Sequence, residues 1–372
     1  MSKPVYKKIK PQTNTIFRGD NLAIMRAMPD ECVHLIYIDP PFFTQRDYKN
    51  IWGDRESVQD FEGNFFDGFR DTKDFFERHI QSDAKGLKAY LEWMRARLVE
   101  CHRILSAKGS FYLHLDQHAV HYVKVMLDEI FGSSNFRSEI IWRRSNPKGL
   151  TSKSFATNSD TVLYYTKSKD FTWNPLYQPL DPEYVEQFYR HVEPKTNRRY
   201  RLGPLTNPSN DRPNLTYEWN GHTKVWRWTK ERMKAAHKSG KIEYSSSGLA
   251  QQKQYLDESK GRPIDNIWTD INAVPESERT GWPTQKPVAL LERIISASSN
   301  EGDIVFDCFA GCGTSMHAAH NLKRKWIGID ISPTAIKVNK KRLEEIGAKV
   351  SVVDENDMPI ELGTAKAKRK AA

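Results

Sequence analysis

The sequence predicts an α/β protein: a doubly wound, mostly parallel sheet with a separate module inserted late in the chain. Three observations predict it. The run Val33-His34-Leu35-Ile36-Tyr37-Ile38 has the length and the Val, Ile and Tyr content of a strand buried on both faces. A second apolar run, Ile304-Val305-Phe306, leads into the glycine-bearing turn Asp307-Cys308-Phe309-Ala310-Gly311-Cys312-Gly313-Thr314 and then a helix-like segment. Between the two, residues 170–275 interleave prolines, aromatics and basic residues, a composition unlike either flank.

The first run ends in Asp39-Pro40-Pro41-Phe42. Each proline fixes φ and lacks a backbone N–H, so the strand stops and the chain stiffens. A carboxylate, the Pro40 carbonyl and the Phe42 ring emerge at the strand's carboxyl end. A planar base with an exocyclic amine uses two acceptors and a ring to stack on; a proline-stiffened turn with a helix-capping Asp uses the same residues. In the second motif, glycines let backbone amides approach a ligand at a helix N-terminus. The next apolar run, Trp326-Ile327-Gly328-Ile329, ends in Asp330, placed to bond ribose hydroxyls. Strand, turn, helix and acid in register point to a nucleotide-type ligand.

Asp39-Pro40-Pro41-Phe42 together with Phe309-Ala310-Gly311-Cys312-Gly313 resembles the amino-methylating DNA methyltransferases. With the catalytic motif first and the cofactor motif last, the order resembles their circularly permuted beta class. The likeness extends through Arg18-Gly19-Asp20 and Thr284-Gln285-Lys286-Pro287 and covers most of the chain; only the middle departs freely. It implies the sheet of the S-adenosylmethionine-dependent methyltransferases, with Asp39, Pro40, Pro41 and Phe42 as the catalytic set. For S-adenosyl-L-methionine it implies Asp20 beside the adenine, Thr284, Gln285 and Lys286 at the methionine end, and Asp307, Phe309, Ala310, Gly311, Gly313, Thr314 and Asp330 around the rest. Lys286 has the charge for the methionine carboxylate. Adenine N6 is the expected target because Asp, not Ser, precedes the prolines; N4 of cytosine is the alternative, and Phe42 departs from the family's commoner Tyr. Double-stranded DNA is the expected partner, and a second copy of the chain and a cognate restriction endonuclease stay open.

Other classes fit less well. A nicotinamide dehydrogenase would want a third glycine where Met316 stands and leaves Asp39-Pro40-Pro41-Phe42 unexplained. RNA and protein-glutamine methyltransferases carry related tetrapeptides but place the cofactor motif first. A DNA-binding relative without catalysis would not need both motifs intact.

Taken in order, residues 1–14 read as a basic arm and Thr15–Asp20 as a short strand, with Asp20 or Asn21 capping a helix over 22–28. Residues 43–86, rich in Gly, Asp and Phe, read as a lid. Leu87, Tyr90, Leu91, Met94, Leu98, Cys101 and Leu105 recur at helical spacing. Residues 110–115 read as a strand, and Asp116 as the cap of a helix to about Ile130. His114, His118 and His121 lack an open-site ligand set, so no metal is expected; His114 is expected to serve structure or substrate positioning. Ile140–Trp142 and Thr161–Tyr165 read as a final antiparallel pair of the sheet. The basic loop between them, with Arg143, Arg144 and Lys148, is expected to touch DNA phosphates or to be simply solvated. In the module, Arg198, Arg199, Arg201, Lys224 and Arg227 are the expected DNA contacts.

The resulting organisation is a catalytic half at 1–169, a target-recognition module at 170–275, a cofactor half at 276–350 and a disordered basic tail at 351–372. The formal charge of +10 over 372 residues suits a polyanionic partner. Cys308 and Cys312 lack a second ligand pair, so the four cysteines read as reduced thiols. No stretch approaches the roughly 20 apolar residues of a membrane span, and Met1-Ser2-Lys3-Pro4 does not open a signal peptide. A bacterial or archaeal cytoplasmic, nucleoid-associated protein with no membrane contact is expected.

Overall fold

A computed structural model describes residues 12–41, 83–146, 155–209 and 211–357. They divide into two compact units: Tyr177–Ile264 form one, and the segments before and after form the other. The larger unit is built on nine strands: β1 (Thr15–Arg18), β2 (Val33–Ile38), β3 (Leu105–Leu115), β4 (Phe136–Arg143), β5 (Ser159–Thr166), β6 (Ile267–Trp268), β7 (Ile304–Asp307), β8 (Lys325–Asp330) and β9 (Ser351–Asp354). Their order across the sheet is β6-β4-β5-β3-β2-β7-β8-β1-β9, and only β5 runs against the rest.

Among the described residues, the helices of this unit are α1 (Asn21–Ala27), α2 (Asp83–Ile104), α3 (Val120–Leu127), α4 (Val288–Ser298), α5 (Thr314–Asn321) and α6 (Pro333–Glu345). Strand alternation divides the sheet's side chains between two faces. Ile36, Ile38, Phe111, Leu113, Leu163, Tyr165, Phe306, Ile327 and Ile329 join one core with Ile24 and Met25 of α1, Tyr90, Met94 and Leu98 of α2, and Val123 of α3. The other face carries Tyr37, Tyr112, His114, Asp160 and Tyr164. There Tyr112 stacks on Tyr164 at 4.4 Å and its hydroxyl meets Ser298 Oγ of α4 at 2.5 Å.

Local chemistry sets most boundaries. Asp20 caps α1 by accepting from Leu22 N at 3.0 Å. Ser332 caps α6 in the same way through Ala335 N, and Pro333 occupies the first helical turn. Asp116 does not cap α3; its carboxylate takes His118 N at 3.0 Å and His118 Nδ1 at 2.7 Å, and α3 starts later, at Val120. No helix among the described residues is long and apolar enough to cross a membrane.

Several boundaries differ from expectation. The expected pair at 140–142 and 161–165 forms, antiparallel, but does not end the sheet. β6 pairs beyond it, Ile267 with Ile141 and Trp268 with Trp142. Residues 170–176 and 265–275 therefore belong to the large unit, and the inserted unit is shorter than 170–275. The segment opening at 351 is not a tail from its first residue. Ser351–Asp354 pair with Thr15–Arg18 as an edge strand, and Glu355 accepts from Asp20 N at 2.8 Å. A four-residue strand carries too few alternations to be read alone; its partner stands more than 330 positions away. Phe42, Lys148, the basic run at 366–370 and most of the lid segment lie outside the described residues. The last four lid positions, 83–86, open α2.

The inserted unit has its own small core of Leu205, Trp226, Trp228, Met233, Ile242 and Ala250. A four-stranded sheet runs Ile242–Tyr244, Ala250–Tyr255, Arg199–Pro204, His191–Val192, antiparallel throughout. A hairpin of Thr216–Trp219 and His222–Val225 turns at Asn220-Gly221, with φ of 49° and 75°, the geometry an Asn-Gly turn favours. Thr229 caps the helix Lys230–Lys238.

Candidate active site

The two motifs meet because β2 and β7 are neighbours. Val305 pairs with Leu35 and Phe306 with Ile36, in parallel. Asp39-Pro40 and the turn 307–313 therefore leave the same edge of the sheet, where open α/β sheets bind ligands. They line one cleft of about 1260 Å³, together with Asp20, Tyr37, Trp93, Arg97, Asp160, Trp282, Lys286 and Asp330.

The glycine turn is held by two carboxylates. Asp307 accepts from Phe309 N at 2.9 Å and from Ser315 Oγ at 2.5 Å. Asp330 accepts from Gly311 N at 2.8 Å and from Ser332 N at 2.9 Å. Gly313 sits at φ 80°, and a Cβ there would stand 2.2 Å from Asn339 Oδ1. Neither a β-carbon nor that backbone angle suits another residue. Burial pushes Asp307 up to about 7, despite its hydrogen bonds, with help from the charges of Asp39 and Asp330. Burial likewise pushes Asp330 up to about 6, against the opposing pull of backbone N–H bonds. Three carboxylates thus crowd one cleft, which favours a cationic guest.

Lys286 arrives from the segment ahead of α4, and its Nζ lies 2.5 Å from Asp39 Oδ2. The lysine expected at the methionine carboxylate is thus joined to the expected catalytic acid. Its neighbours brace the same segment: Gln285 Oε1 takes Thr280 N and Oγ1, each at 2.9 Å, and its Nε2 donates to Glu278 O at 2.6 Å. Thr284 Oγ1 accepts from Trp282 Nε1 at 3.1 Å. Asp20 lies at the cleft as expected, yet it is engaged: besides capping α1 it takes Arg97 Nη2 at 3.1 Å.

Sequence reading missed Trp93 and Arg97. Arg97 reaches Asn21 Oδ1 at 2.7 Å, lies 3.9 Å over the Trp93 ring, and Trp93 meets Phe309 at 5.6 Å. Asn21 in turn donates to Cys308 O at 2.9 Å. This network ties α1 and α2 to the glycine turn. The available signal was a charged residue set among the buried positions Met94, Leu98 and Cys101 of an amphipathic helix.

The expected DNA contacts separate into groups. Arg198 is tied to Asp257 and Glu258 at 2.8 and 2.9 Å, Arg199 to Glu186 at 2.8 Å, and Arg201 to Gln254 at 2.8 Å and to the Tyr184 hydroxyl. Lys224 and Arg227 are exposed. In the large unit, Arg143 donates to Thr269 O at 3.1 Å and Arg144 Nε meets Asp160 Oδ1 at 3.2 Å.

Comparison with known proteins shows the family. A family model described as DNA methylase matches residues 33–341. Type II methyltransferase M.EcaI of Enterobacter cloacae is 33% identical over 337 residues, 88% of this chain and 68% of that protein. DNA adenine methyltransferase YhdJ of Escherichia coli strain K12 is 28% identical over 336 residues, 90% of this chain and 83% of that one. The crystal structure of a DNA modification methylase from Thermus thermophilus, complexed with S-adenosyl-L-methionine, aligns over 92% of this chain and 98% of that one at 16% identity and a TM-score of 0.48. With the family match running from β2 through the glycine turn and into α6, this chain belongs to the DNA methylase family of amino-methylating enzymes.

Proposed function

We propose that the chain is a site-specific DNA methyltransferase that transfers a methyl group from S-adenosyl-L-methionine to N6 of an adenine extruded from the duplex. The observation that carries the reading is the parallel pairing of β2 with β7, which sets Asp39 and Pro40 against the glycine turn across one cleft.

The cleft's residues fit that cofactor. The acidity of Asp307 and Asp330 suits a sulfonium cation, and the turn carries no side chain at Gly311 and Gly313. Asp330 and Asp20 would hold hydroxyl and amine groups, and Lys286 the carboxylate. When bound, S-adenosylmethionine supplies an electrophilic methyl group. The chain's own part is orientation and polarisation. Asp39 and the Pro40 carbonyl accept from the exocyclic N–H groups, which draws nitrogen electron density outward. A ring-conjugated amine is a weak nucleophile, so holding it in line supplies much of the acceleration. Phe42 is the stacking surface in this reading.

Adenine is favoured by Asp39 before the prolines and by the likeness to an adenine methyltransferase. The same two acceptors would also serve N4 of cytosine, the alternative target. Residues 177–264 are proposed to read the target sequence, with Lys224, Arg227 and Arg143 as phosphate contacts. A cytoplasmic enzyme working within restriction–modification is the proposed setting.

The test is incubation with labelled cofactor and unmethylated genomic DNA, digestion to nucleosides and mass spectrometry. N6-methyladenine is expected. N4-methylcytosine without N6-methyladenine would move the target to cytosine and leave the family intact.

A further inference from the structure

On the face of the sheet below Asp39, three side chains from three adjacent strands form a buried hydrogen-bonded line. Tyr37 Oη lies 2.9 Å from His114 Nδ1, and His114 Nε2 lies 3.2 Å from Asp160 Oδ2. The three residues are 2%, 0% and 5% exposed. Register puts them together: Tyr37 pairs with Tyr112, two positions before His114, and His114 pairs with Val162, two positions after Asp160. Apolar residues could fill this layer without the desolvation cost of a carboxylate and an imidazole. The remaining oxygen of Asp160, Oδ1, meets Arg144 Nε at 3.2 Å. Burial works against the charge on Asp160, but the hydrogen bond from His114 and the positive charge around it outweigh it and hold its carboxyl below the ordinary range.

Donor and acceptor chemistry gives this line a direction. A carboxylate only accepts, so His114 donates to Asp160 Oδ2, while Arg144 forms an ion pair with Oδ1. A neutral imidazole that donates from Nε2 accepts at Nδ1, and Tyr37 gives its single hydroxyl hydrogen to that nitrogen. Only lone pairs remain on the phenolic oxygen. Tyr37 lines the same cleft as Asp39 and Pro40 and stands two residues before Asp39, on the same side of the strand.

We propose that Asp160 and His114 are positioning residues that hold Tyr37 as an acceptor-only hydroxyl beside Asp39, so that the base site admits ring amines and disfavours ring carbonyls. The inference rests on the amino-methyl-transfer reading and adds to it a device for choosing the substrate class. An amine-bearing base has two N–H groups for Asp39 and the Pro40 carbonyl, and the Tyr37 lone pairs add negative potential beside them without a competing hydrogen. A base with a carbonyl at that edge meets acceptors alone and leaves them unpaired.

The test reads the imidazole directly. Nitrogen-15 NMR of histidine-labelled protein should find His114 protonated at Nε2 and bare at Nδ1. In Asp160→Asn, Arg144 can still only donate, so the amide oxygen turns to Arg144 and the amide nitrogen faces Nε2. The ring must then accept at Nε2 and donate from Nδ1, which turns the Tyr37 hydrogen into the cleft. An inverted tautomer is expected, with kcat/KM for DNA roughly tenfold to hundredfold lower, the scale of a lost charge-assisted bond. Tyr37→Phe should cost roughly threefold to tenfold. Cofactor Kd should stay near wild type in both variants, and kcat/KM is compared at a temperature below both melting transitions. A wild-type ring protonated at Nδ1, a doubly protonated ring, or unchanged kcat/KM in Tyr37→Phe would overturn the proposal while the methyltransferase reading stood. A wild-type chain that transfers no methyl group to DNA would remove both.

Discussion

Lys286 Nζ lies 2.5 Å from Asp39 Oδ2, although 247 positions separate the two residues. The pair joins the end of β2 to the segment ahead of α4, and both side chains are largely sheltered, at 10% and 17% exposure. Removing one partner from such a pair leaves the other without compensation.

Asp39→Ala should lower methyl transfer by about a hundredfold or more, as loss of a preorganised electrostatic group does, while cofactor Kd stays within severalfold. A transfer assay and calorimetry check this. Asp39→Asn and Lys286→Met should each lower stability to denaturant, and the double variant should lose less than the sum. A coupling of about 0.5–3 kcal/mol is expected for residues in direct contact. Strict additivity would mean that the pair contributes nothing to the fold.

Cofactor affinity should rise with pH between about 5 and 8. Asp307 and Asp330 are pushed up to about 7 and about 6, and each gains the charge that suits a cationic guest as pH rises. Folding stability should move the opposite way. The folded state holds these protons more tightly than the unfolded chain, whose Asp titrates near 4. The stabilisation is therefore full at low pH and is lost as pH rises from about 4 through 7. Titration calorimetry and urea melts across that window separate the two slopes.

Gly313→Ala should destabilise the large unit by about 1–3 kcal/mol, because it combines a left-handed backbone angle with a Cβ 2.2 Å from Asn339 Oδ1. Thermal melts check this. Gly302→Ala offers a contrast: its φ is 84° but nothing lies within 4 Å of the added carbon, so only the backbone part of the cost should remain.

Arg198→Ala should act on stability rather than on DNA. Its guanidinium is held by Asp257 and Glu258 and lies 3.8 Å over the Tyr255 ring. Lys224→Ala with Arg227→Ala should weaken DNA binding at every sequence and flatten its salt dependence by about two phosphate equivalents, each worth a slope of roughly 0.9. Binding titrations at several salt concentrations decide this. An unchanged slope would place the phosphate contacts elsewhere.

Much of the fold could be read locally. The strand at 33–38, the strand–turn–helix at 304–321 and the helix opening at Pro333 follow from hydrophobic period, glycine placement and caps, all short-range properties. What escaped was short or non-local. Ser351–Asp354 and Ile267–Trp268 carry too few residues for a period, and each becomes a strand only because a distant edge offers its hydrogen bonds. Arg97 takes its role from Asp20, Asn21 and Trp93, which only the folded chain brings around it.

The sequence by itself determined the two motifs, their permuted order and the parallel strands that end in them, because each rests on neighbours within a few residues. Only the tertiary structure decided how the side chains are used. It joined Lys286 to Asp39, Asp330 to Gly311 N, Arg198 to Asp257, and Tyr37 through His114 to Asp160. A charged or hydroxyl side chain can satisfy itself with water, ligand or protein. The choice among them depends on which strands the sheet sets side by side, and residue type alone does not carry that information.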